Sequence, residues 1–326
     1  MWIGFDSPAV RLTGRWGVLD GNRAVATAAG AYLEAAFYGE LATLRFDMEG
    51  TAHPVPHVWI SVDGGARAEA PLAPYLRVMA QGEGPHTVRV IYKGAVEQQA
   101  RWRAPLVGRI AFLGLEARRE AVLEKDTRPV IEFVGDSITE GVLIDDGCRP
   151  YPDDDQMNRP SQDDVTAGYA WLTAEALDMR PIMMGYGAIG VTHGGCGGVP
   201  NAAAAYPFCF EGMPAVTPEP SIVLINHGAN DGGASAEDYA AEYRRLLDQV
   251  FARCPNAQVV ALSAFCGAHP EALRALVEAY NRQHHRDVLF IDSTGWIPPD
   301  PLHPGREGHR IVAERLTIAL RAGLHL

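Results

Sequence analysis

Three short stretches of this 326-residue chain carry side chains suited to nucleophilic attack on a carbonyl carbon. In Gly135-Asp136-Ser137-Ile138-Thr139-Glu140-Gly141 a serine stands between glycines straight after an apolar run. A serine hydroxyl is a weak nucleophile at neutral pH and needs a base within hydrogen-bond reach. Asp300-Pro301-Leu302-His303 offers that base in His303, and Asp300, three residues earlier, can accept a hydrogen bond from the imidazole Nδ1–H. Pro301 and Pro304 stiffen this loop and reduce the entropy lost in placing both side chains. Attack builds negative charge on the carbonyl oxygen, which demands preorganised N–H donors. Asn230 of Gly228-Ala229-Asn230-Asp231 supplies a side-chain amide for it, the Ser137 backbone a second donor, and the turn Gly185-Tyr186-Gly187-Ala188-Ile189-Gly190 a third.

Groups so far apart in sequence meet only if the fold brings them to one edge. From residue 129 onward, short and nearly continuous apolar runs at 130–134, 181–184, 222–225, 259–262 and 288–291 alternate with helical patterns, which predicts a parallel sheet covered on both faces. Loops at the carboxyl edge of such a sheet converge on one crevice, and the serine, asparagine and histidine motifs follow the first, third and last runs. Tyr239, Tyr243, Leu246, Leu247 and Val250 recur at helical spacing behind Ser235 and Asp238, and Ile311, Val312, Leu316 and Leu320 form a final helical stripe.

Residues 1–117 read differently. Period-two alternation around residues 31–35 and 87–92, and the strand 57–62 running into Asp63-Gly64, predict half-buried antiparallel strands and a β-sandwich, with residues 108–113 as its last strand. Residues 118–128, charged and closed by Pro129, read as a linker, part of it a short helix, ahead of an α/β domain over 129–326. Residues 145–164, rich in Asp and Pro, read as a long loop that either borders the crevice or is a solvated acidic insertion or subunit contact.

Composition excludes several classes. With 47% hydrophobic and 21% charged residues the chain is an ordinary globular protein, and a formal net charge of −12 argues against nucleic acid and anionic membranes as partners. No segment is long and apolar enough to span a bilayer. The amino terminus has neither a basic region nor a sustained apolar core, which reads as cytoplasmic unless a leader precedes it. Five cysteines without a CxxC pair fit reduced thiols. His193, His227 and Cys196 do not have zinc spacing, so no metal and no cofactor is expected. Asp136 and Asp231 read as hydrogen-bonding braces, His86 as a strand or turn residue, and Trp296 as either a sugar-stacking ring or core packing.

The pattern of motifs resembles the SGNH, or GDSL, hydrolase superfamily across the whole second domain. The resemblance implies a flavodoxin-like three-layer α/β/α fold, with Ser137 as nucleophile and first oxyanion donor, Gly190 as second donor, Asn230 as third, His303 as base and Asp300 as its orienter. The position ahead of the glycine turn that this family often fills with Asn is Gly185 here, and Gly187 is the alternative donor if the turn is shifted. Thr13-Gly14-Arg15-Trp16, Val62-Asp63-Gly64-Gly65 and Gly84-Pro85-His86-Thr87-Val88 look like landmarks of the jelly roll that precedes the hydrolase domain in family-two carbohydrate esterases. The reading that follows is a serine esterase acting on a short-chain, acetyl-type ester of a small or oligomeric carbohydrate, with homo-oligomerisation open. A lysophospholipase or thioesterase of the same superfamily is the alternative activity, and a non-catalytic carbohydrate-binding protein the alternative from another class.

Overall fold

A computed structural model describes residues 1–145 and 160–326. Most of the expected acidic loop, residues 146–159 with Cys148, lies outside the described residues. Before residue 121 the chain forms two antiparallel sheets. One runs Gly17–Leu19, Arg23–Ala26, Ile110–Glu116, Leu41–Phe46, Tyr75–Met79, with Trp2–Gly4 also on Ile110–Glu116. The other runs Arg119–Glu120, Tyr32–Tyr38, Pro85–Gly94, His57–Val62, Ala68–Pro71, with Val10–Thr13 also on Tyr32–Tyr38. Alternate residues of both sheets, among them Leu33, Phe37, Val88 and Val90 from one and Leu44, Phe46, Ile110 and Phe112 from the other, share one apolar core.

The charged stretch after this unit contains no helix. Arg119–Glu120 instead pairs with Tyr38 and Phe37 at the edge of the second sheet, and the Arg119 guanidinium lies over the Tyr38 ring, 3.7 Å from its centroid. A cation over an aromatic face and two ladder bonds outweigh the helical tendency of so short a segment, for which nucleation is unfavourable.

The second half is an α/β sheet. Strands β1 (Val130–Gly135), β2 (Arg180–Gly185), β3 (Ile222–Asn226), β4 (Gln258–Leu262) and β5 (Leu289–Ile291) are all parallel, in the order β2-β1-β3-β4-β5. All five expected runs are strands, within one or two residues at each end. The helices are α1 (Ser137–Glu140), α2 (Tyr169–Ala176), α3 (Ala202–Ala205), α4 (Ala236–Arg253), α5 (Pro270–His284) and α6 (Arg306–Leu324). Because side chains alternate along a strand, Val223 and Ile225 of β3 enter the core under α4 and α5, while Ile222 and Leu224 enter the one under α2 and α6. Ser235 caps α4, its Oγ accepting the Asp238 N–H at 3.0 Å.

Two buried ion pairs join the antiparallel sheets to this α/β sheet. Arg15 reaches Glu132 of β1 at 2.9 Å with both side chains fully buried, and Arg253 of α4 bonds the other oxygen of the same carboxylate. Burial alone would raise the Glu132 pKa, but Arg15 and Arg253 outweigh it and hold the carboxyl below its ordinary value. The second pair, Arg101 with Glu140, belongs to the site.

Candidate active site

α1 starts directly where β1 ends. Asp136 caps it, its Oδ1 accepting the Ile138 N–H at 2.9 Å, and Gly141 closes it in the left-handed region at φ 81°. Asp136 thus braces the turn, as its position suggested. Burial, helped by Asp231 and Glu140, pushes the Asp136 pKa up to about 7. Ser137 is the first helical residue, so its N–H has no partner within the helix, and it has none elsewhere among the described residues. A Cβ at Gly135 would stand 2.1 Å from Thr139 Oγ1, and one at Gly185 of the neighbouring strand 2.7 Å from the Glu140 backbone nitrogen. The departure at Gly185 therefore has a physical reason: α1 lies against β2 too closely for any side chain there.

The structure brings Ser137 and His303 together, with His303 Nε2 2.9 Å from Ser137 Oγ. His303 is half-buried on the loop after β5, beside a cavity of about 350 Å³ lined by Leu143, Ile144, Pro301, Leu302 and Gly305. This loop runs into α6, and Arg306 in its first turn bonds Asp145 at 2.5 Å and Asp164 at 3.1 Å, tying the histidine loop to the chain that follows the nucleophile. His309, one turn further on, accepts the Tyr169 N–H at Nδ1 and is kept neutral by burial, which lowers its pKa to about 3. Asp300 is exposed, and among the described residues no hydrogen bond or ion pair joins it to His303.

The amide donors are placed unequally. Asn230 is half-buried; its Nδ2 donates to the Ile189 carbonyl at 3.0 Å, which leaves its second amide hydrogen for another acceptor. The Gly190 N–H is directed at the His193 carbonyl at 3.1 Å, and the Gly187 N–H at the Glu140 carboxylate. Asp231 is buried and accepts the Val191 N–H at 3.1 Å and the Thr192 N–H and hydroxyl at 2.9 and 2.6 Å, so it braces the Gly190 turn against the Asn230 turn.

Sequence reasoning missed the residue beneath all of this. Arg101, from the segment after Pro85–Gly94, forms a two-bond ion pair with Glu140 at the end of α1, and neither side chain is more than 1% exposed. Burial opposes a charged guanidinium, yet the Glu140 carboxylate outweighs it and pushes the Arg101 pKa up. Nothing in the sequence pairs residues 39 apart, one on a loop of the antiparallel unit and the other in α1. His227 is buried and its imidazole is kept neutral, its pKa lowered to about 4 by burial. Among the described residues no group of three or more His, Cys, Asp or Glu is arranged to hold a metal ion. Trp296 packs on the core under α6, and its carbonyl accepts from Arg315 at 3.0 Å.

The profile of the GDSL-like lipase/acylhydrolase family matches residues 133–311. Among solved structures, a family two carbohydrate esterase from Cellvibrio japonicus superposes with a TM-score of 0.81 at 20% identity, over 100% of this chain and 98% of that one. A family two carbohydrate esterase from Clostridium thermocellum, in complex with cellohexaose, gives 0.75 at 23% identity over 97% and 99%. An acetyl xylan esterase from the rumen bacterium Butyrivibrio proteoclasticus gives 0.77 at 20% identity over 100% and 99%. At such identities the likeness speaks for the fold, and it extends over the antiparallel sheets as well as the α/β sheet. No match was found among curated proteins.

Proposed function

The chain belongs to the GDSL-like lipase/acylhydrolase family and is a carboxylic ester hydrolase; from that premise we propose that it removes short acyl groups, acetyl foremost, from a carbohydrate, with Ser137 as nucleophile and His303 as its base. The observation that carries the assignment is the 2.9 Å contact between Ser137 Oγ and His303 Nε2 at the carboxyl edge of the sheet. Ser137 Oγ attacks the acyl carbon while Nε2 takes its proton. The tetrahedral oxyanion is met by the Ser137 N–H and the unused hydrogen of the Asn230 amide. Collapse breaks the bond from the acyl carbon to the sugar oxygen, which takes the proton from the His303 imidazolium and leaves as the hydroxyl, with Ser137 acylated. Water, deprotonated by His303, then releases the carboxylic acid and restores the hydroxyl. Gly190 joins as a donor only when its bond to the His193 carbonyl opens.

A carbohydrate substrate is supported by the fold, since the solved relatives include an acetyl xylan esterase and a cellohexaose complex. The two antiparallel sheets are read, within the same proposal, as a jelly roll. The small cavity beside His303 supports a short acyl group. Acetate release from acetylated xylo-, gluco- and manno-oligosaccharides is expected, with activity on p-nitrophenyl esters falling from acetyl to octanoyl. Activity rising along that series would instead support a lysophospholipase or thioesterase.

Exposure of the Asp300 carboxylate bears on its part as orienter of His303. Asp300→Ala is expected to keep more than about a tenth of wild-type kcat, because the carboxylate stands in solvent. A fall of about 10⁴-fold, the size seen when an orienting aspartate is neutralised, would give Asp300 the orienting role.

A further inference from the structure

His193, on the loop after β2, turns both ring nitrogens towards carbonyl oxygens: Nδ1 is 2.8 Å from Gly194 O and Nε2 is 2.9 Å from Asn230 O. A neutral imidazole has one N–H and one lone pair, so it satisfies one of these oxygens and sets a lone pair against the other. The imidazolium donates to both. The main chain closes the link from the other side, since the His193 carbonyl accepts the Gly190 N–H at 3.1 Å. One residue therefore bonds both loops that carry the amide donors, the Asn230 turn through its ring and the Gly190 turn through its backbone.

Resting on the esterase reading, we propose that His193 is a positioning residue: as an imidazolium it holds Asn230 in register for the oxyanion, and activity falls when it loses its proton. The bonds to the Asn230 and Gly194 carbonyls raise its pKa above the ordinary imidazole value, with a smaller contribution from Asp231. Around it, Asp231 lies one residue beyond Asn230, and its carbonyl accepts from His269 Nε2 at 2.9 Å. Cys196 shares the His193 loop, and Glu242 of α4 stands 3.5 Å from Asn201 Nδ2, which bonds Val191 O. Asp231 favours the cation. His193 is exposed, so its proton exchanges freely with solvent and water replaces part of a lost bond. The effect is accordingly set at about tenfold, below the 10²–10³-fold typical of losing an oxyanion donor outright.

The sign of the pH dependence follows from two requirements. His303 must be neutral to act as base, so activity rises with pH on the acid side; His193 must be charged, so activity falls on the alkaline side. The profile of kcat/KM is expected to be a bell. In His193→Ala, kcat at the optimum should fall about tenfold with KM changed less than about twofold, and the alkaline limb should vanish. His193→Gln, which supplies a single amide donor towards Asn230, should recover part of kcat without restoring the limb. An even loss at all pH values with the alkaline limb intact would overturn the proposal and leave His193 a structural residue. A second measurement needs no turnover: in Ser137→Ala protein the His193 ring, followed by NMR, should titrate above 6.5. Titration at or below that value would also overturn it. Retained activity in Ser137→Ala would defeat the esterase mechanism instead and leave the His193 titration untouched, so the two failures are distinct.

Discussion

Replacing Ser137 by alanine is expected to lower hydrolysis of p-nitrophenyl acetate by about 10⁴-fold or more, since removal of a nucleophile in comparable hydrolases costs about 10⁶ in kcat. The fold should be unaffected, and the local structure says why. Asp136, not Ser137, caps α1, and among the described residues the only hydrogen bond at the Ser137 hydroxyl is to His303. Alanine also has the highest intrinsic helix propensity. The variant should therefore unfold within about 0.5 kcal/mol of wild type. Most of the activity surviving in a folded Ser137→Ala protein would remove the serine mechanism.

The largest expected effect on stability lies at Arg101. Arg101→Met leaves the Glu140 carboxylate buried without its cation, a situation that costs about 3–5 kcal/mol. Glu140 belongs to the same one-turn helix as Ser137, receives the Gly187 N–H, and packs its backbone nitrogen against Gly185. The destabilisation should therefore be accompanied by loss of kcat even at temperatures where the variant is folded. The double variant Arg101→Met, Glu140→Met removes the charge together with its partner and should recover most of the stability, because an apolar pair of similar volume replaces a buried ion pair at little or no cost. Urea unfolding of the single and double variants checks this. A single variant within about 1 kcal/mol of wild type would mean that this pair does not secure the nucleophile turn to the antiparallel sheets.

The same pair shows what the sequence can and cannot carry. Ser137 and His303 were legible because each sits in a short contiguous motif at the end of an apolar run, and because a parallel sheet delivers all such ends to one edge. The five strands were legible because burial on both faces makes each a continuous apolar run. Arg101 and Arg15 were not, since a buried ion pair leaves no periodic trace and its partner is chosen by tertiary packing. Asp300 illustrates another case: proximity in sequence suggests an orienter, the structure leaves its side chain exposed, and the kcat of Asp300→Ala decides its role. For Gly190 the residue type marked the turn, but the direction of its N–H depends on the carbonyl of His193, which no motif specifies.

The covalent intermediate gives the most direct test of the account. Mixing the enzyme with excess p-nitrophenyl acetate, quenching in acid within the first turnover and mapping peptides by mass spectrometry should find about one acetyl group per chain, carried on Ser137. An acetyl group on any other residue, or an equal burst of p-nitrophenolate from Ser137→Ala, would contradict it.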